Sequence, residues 1–64
     1  MDEQIRQQIL TSLSKCDKLI KYLKNNEEDV DSFFDGEMRM AYLRANERAL
    51  EEVMQIRVKL MRLL

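Results

Sequence analysis

Ile9, Leu13, Cys16, Ile20 and Leu23 recur at alternating intervals of four and three residues. That spacing gathers them on one face of a helix. Ile5 and Leu19 keep the apolar arc to about 120° of the helical wheel, a seam narrow enough for one neighbouring helix. The pattern predicts a helix over residues 3–25, fading at Asn25-Asn26, with Asp17 and Lys21 as a favourable surface pair. A second arm repeats the rhythm: Tyr42, Asn46, Ala49, Val53, Ile56, Leu60 and Leu63 again alternate by four and three. Leu43, Leu50, Met54, Val58, Met61 and Leu64 widen it, so that from Val53 onward apolar residues fill roughly 220° of the wheel. A second helix is predicted over residues 37–63, with a face too broad for one helix to cover. Arg57 falls inside the broad arc, its stem placed to pack and its guanidinium to reach a carboxylate or solvent.

Residues 26–36 form the joint, with turn-forming residues around Val30, Phe33 and Phe34. Asp35 is placed to cap the second helix through its carboxylate, with Asp31 and Ser32 as earlier starting points. Such a joint is long for a helical hairpin and leaves room for a short helical turn. Phe33 and Phe34 are adjacent and point different ways. One plugs the end of the hairpin, or one anchors a partner. The expected fold is a single all-α domain over residues 1–64: two long antiparallel helices of roughly 35 and 42 Å, a helical hairpin assembling into a bundle.

Composition agrees with helices, since the chain has one glycine, Gly36, and no proline among its 64 residues. A chain this short buries too little surface for a generous core and is usually reinforced. The single cysteine excludes an internal disulfide, and the lack of histidine leaves no zinc set. A protein partner or a homodimer is the remaining reinforcement, and no cofactor or metal is expected. The acidic Met1-Asp2-Glu3-Gln4 start and the free thiol point to a non-exported, cytoplasmic protein. Arg57, Lys59 and Arg62 interrupt the most apolar stretch, which excludes a membrane span. The net charge of −1 conceals an uneven distribution, because residues 26–37 hold six acids and no base between two mildly basic arms.

Catalysis requires a nucleophile with a base, paired carboxylates in a pocket, or a metal, and the chain supplies none of these sets. It is expected not to be an enzyme. Cys16 lies on the apolar seam, which fits a small core residue, with a redox role as the alternative. Asp31 to Gly36 imitates the start of a calcium loop, but Phe33 and Tyr42 stand where oxygen ligands belong. The basic line of Arg39, Arg44, Arg48, Arg57, Lys59 and Arg62 is diluted by Glu47, Glu51 and Glu52, and lacks interleaved aromatics. Direct nucleic-acid binding is therefore disfavoured against a solvated face. Asn46 is either a buried polar residue fixing register or an exposed residue beside the contact.

The run Leu10, Leu13, Cys16, then Asp35, Glu37, Tyr42, Ala45, Arg48, Glu51 and Met54 resembles the Hha/YmoA family of small nucleoid-associated regulators over about two thirds of the chain. In that family an Asp-His-Arg triplet is associated with binding the nucleoid protein H-NS. The corresponding residues are Asn46-Glu47-Arg48, so only Arg48 carries over, as a regulator contact. The family also breaks its first helix early, whereas the first apolar seam continues to Leu23. The hairpin and Arg48-Ala49-Leu50-Glu51 are also similar in architecture to the two-helix chaperones of type III secretion needle subunits.

Read from its residues, the chain is a protein-interaction module: an adaptor, co-chaperone or regulatory subunit. Ile9, Leu13, Cys16, Ile20, Leu23, Tyr42 and Ala49 are expected to form the hairpin core. Asn46, Leu50, Val53, Met54, Ile56, Leu60, Met61 and Leu64 are expected to form the partner interface. An Hha-like transcriptional modulator is the alternative.

Overall fold

Asp2 caps the first helix, its Oδ1 accepting the Gln4 N–H at 2.9 Å. This satisfies one of the donors that every helix start leaves unpaired. The computed structural model describes residues 2–64, the side chains of residues 31–33 excepted. Its elements are two helices, α1 over Glu3–Phe33 and α2 over Gly36–Arg62. They pack against each other as an all-α hairpin.

The long joint expected over residues 26–36 contracts to Phe34 and Asp35. Helix α1 does not end near residue 25 but continues to Phe33. Its last turns are acidic and carry no base, which is unfavourable at the negative end of a helix dipole. Packing overrides that cost. Val30 is only 2% exposed, and the Phe34 N–H still donates to the Val30 carbonyl at 3.0 Å. Phe34 and Asp35 are then extended, and Gly36 takes a left-handed φ of 57° that reverses the chain. A side chain is disfavoured in that conformation, which accounts for the glycine. Asp35 occupies the cap position of α2, but its side chain makes no capping hydrogen bond, contrary to expectation. The side chains of Asp31, Ser32 and Phe33, named above as alternative caps and plug, lie outside the described set.

Cross-helix bonds establish the direction of packing. Asn46 on α2 reaches Leu23 and Glu27 on α1, whereas Arg57 further along α2 reaches back to Asp17. Position on one helix rises as the other falls, so the helices are antiparallel. On α1 the buried or half-buried residues Ile9, Leu13, Cys16, Ile20, Leu23, Glu27 and Val30 continue the expected four-three seam to the joint.

On α2 the seam is displaced. The residues withdrawn from solvent are Arg39, Leu43, Asn46, Leu50, Val53, Arg57 and Leu60, with Ala49 beside them. Asn46, Val53 and Leu60 belong to the expected seam, but the adjoining column is Leu43, Leu50 and Arg57 rather than Tyr42, Ala49, Ile56 and Leu63. Both columns flank the same centre, and apolar content favoured the one bearing Ile56 and Leu63. The polar members decide otherwise, because Asn46 and Arg57 both find partners on α1.

Candidate protein-interaction surface

Asn46 is 6% exposed and donates through Nδ2 to the Leu23 carbonyl at 2.7 Å and, more weakly, to Glu27 Oε1 at 3.5 Å. A carbonyl has two lone pairs, so this bond can be added to an intrahelical one. Such a contact is direction-specific: sliding one helix along the other breaks it. Asn46 therefore fixes register within the hairpin and is unavailable to a partner, which corrects its place in the expected interface. Val53, also buried, is corrected in the same way.

Arg57 Nε donates to Asp17 Oδ1 at 2.7 Å across the helices. Asp17, expected to pair with Lys21 on its own helix, thus bonds to the other helix. The two residues are not level along the hairpin, but helical side chains lean toward their own N-terminus, and in antiparallel helices these two lean toward each other. The bridge marks one flank of the hairpin. About 100° per residue places Leu10 of α1 and Leu50, Met54, Val58 and Met61 of α2 on that same flank. A shallow groove runs from this flank onto the outer face of α2, lined by Met54, Gln55, Val58, Lys59 and Arg62.

The opposite flank differs in kind. Its α2 residues Met38, Ala45, Ala49, Ile56 and Leu63 and its α1 residues Ile5, Ser12, Leu19 and Asn26 are uncharged, and Glu52, one heptad beyond Ala45, stands at its rim. Tyr42 lies on this flank, not in the core: it is 36% exposed and stacks on Phe34, ring centroids 5.4 Å apart. That contact closes the joint end, a role expected of one of the two phenylalanines.

The expected interface is therefore divided by the fold. Leu50 and Leu60 are half-buried against α1. Met54 and Met61 stand on the ion-paired flank and Ile56 on the uncharged one. With Val58, Leu63 and Leu64 at the helix end, these side chains remain 39–58% exposed. The expected core residues Ile9 and Leu23 are buried, and Leu13, Cys16, Ile20 and Ala49 half-buried. Arg48 is exposed on the polar side of α2, away from both apolar flanks. Met40 and Tyr22 are exposed as well, as their wheel positions outside both seams require, and Met38 is exposed in the column of Ile56. No helix among the described residues is long and apolar enough to cross a membrane. No family model, curated protein or solved structure matches the chain.

Proposed function

We propose that the chain is a non-catalytic protein-interaction module of the cytoplasm, an adaptor, co-chaperone or regulatory subunit, which covers the apolar flanks of α2 with another chain. One observation carries the reading: after the hairpin has closed, the last eleven residues still expose Met54, Ile56, Val58, Met61, Leu63 and Leu64. Scattered surface apolar residues need no explanation, but six of the last eleven residues, gathered on the two flanks of one helix end, are more than scatter and mark an interaction site.

The test is isolation of the chain from the cells that make it, as the parent and as an Ile56→Asp, Met61→Asp double variant. The parent is expected in a complex larger than 7.7 kDa, and the double variant as a helical monomer. A parent recovered only as a folded monomer refutes the reading. An Hha-like regulator is the second reading, favoured by the exposure of Arg48. It requires capture of an H-NS-like protein that is lost with Arg48→Ala.

A further inference from the structure

We propose that the occupant of the uncharged flank is a second copy of this chain, docked head to tail so that the joint end of each hairpin lies beside the open end of the other. The proposal rests on the interaction reading above and names its partner. Three observations carry it.

The first is area. The hairpin exposes 5323 Å², whereas a compact monomer of 7.7 kDa exposes about 4,300 Å². The surplus is comparable to the 800 Å² or so that each partner gives to a standard interface. The Cα trace is only 10 Å deep in its thinnest direction, so a second hairpin laid on one flank completes a four-helix bundle.

The second is charge. Residues 26–37 carry six carboxylates and no base, whereas the open end, residues 2–12 with 53–64, carries four bases and two acids. Head-to-head docking sets two acidic ends side by side. Head-to-tail docking sets each against a basic one.

The third is the symmetry of the columns. Met38 with Leu63, and Ala45 with Ile56, are spaced evenly about one midpoint of α2, between Leu50 and Glu51. That midpoint lies about 22 Å from Gly36, and Leu19 lies about 22 Å from Phe34 on α1. A single two-fold axis at this level sets Met38 against Leu63 of the other copy, the small Ala45 against Ile56, and Leu19 against itself, as a closed two-fold interface requires. At the rim, Glu52 of each copy comes level with Ala49 of the other, about 1.5 Å of rise from Arg48.

The experiment is light scattering combined with disulfide trapping of the full chain in a Cys16→Ala background, with circular dichroism confirming helix in every variant. At tens of micromolar the purified chain is expected at twice 7.7 kDa. Mixed Met38→Cys and Leu63→Cys chains are expected to cross-link with each other, and Leu19→Cys with itself, since a disulfide needs Cα atoms within about 7 Å. Ile56→Asp is expected to give a helical monomer and Met54→Asp to remain dimeric. A monomeric parent, or Met38→Cys chains that cross-link among themselves as fast as the mixture does, overturns the proposal. If the purified chain is monomeric while the chain isolated from its cells is complexed, the second copy is wrong and the interaction reading survives.

Discussion

The side-chain amide of Asn46 and the backbone carbonyl of Leu23 meet at 2.7 Å in the buried seam between the helices. A backbone acceptor cannot be repacked away, so this bond specifies position as well as stability. Asn46→Ala is expected to cost about 1–2 kcal/mol through loss of the hydrogen bond and of packing. Asn46→Leu is expected to cost less but to blur the register, because an apolar side chain tolerates sliding. Urea titration measures the first effect, and doubled amide resonances would reveal the second. An alanine variant as stable as the parent would show that the bond contributes nothing.

The Asp17–Arg57 bridge calls for a smaller number. Its geometry is good at 2.7 Å, but its side chains remain 58% and 38% exposed. Water and salt screen such a pair, so a double-mutant cycle with Asp17→Asn and Arg57→Gln is expected to give about 0.2–1 kcal/mol of coupling. The coupling should shrink between low and high salt. Coupling well above this range would mean that the pair is more shielded than its exposure indicates.

Val30 tests why α1 runs past its acidic stretch. Val30→Ala removes two carbons from a site that is 2% exposed, at an expected cost of about 2 kcal/mol. The loss should be local. Amide exchange is expected to accelerate over residues 27–34 before the rest of α1. Uniform acceleration along the helix would refute the view that Val30 pins this end.

Gly36 tests the joint itself. Its φ of 57° disfavours a side chain, although the space around a built Cβ is open. Gly36→Ala is therefore expected to cost about 1 kcal/mol from backbone strain alone, and Gly36→Asn less, since asparagine tolerates this region better. Thermal unfolding of both variants decides the order. Equal stability of parent and alanine variant would contradict the strain.

These residues also show how far the sequence could be read. Helical class, the antiparallel hairpin and the α1 seam follow from repeat spacing, because a buried stripe must recur with the helix period. The joint was misplaced because composition reports turn and dipole preferences, whereas the burial of Val30 is a tertiary effect that outweighs them. The α2 seam was misplaced for a related reason. Periodicity leaves two columns beside Asn46 and Val53, and the choice depends on which polar side chains find partners across the gap. Asn46 was identified as notable, but only the partner carbonyl shows that it faces inward.

Phe34 and Tyr42 are eight residues apart in the chain, Leu23 and Asn46 twenty-three, and Asp17 and Arg57 forty. Each contact closes a longer loop than the one before, and the entropy of closure rises with loop length. Contacts near the turn are thus favoured to form first, so the hairpin zips from its closed end outward and frays from its free ends. Met54, Ile56, Val58, Met61, Leu63 and Leu64 lie on the last stretch to be gripped, where an incoming chain would meet the segment that the fold itself holds least.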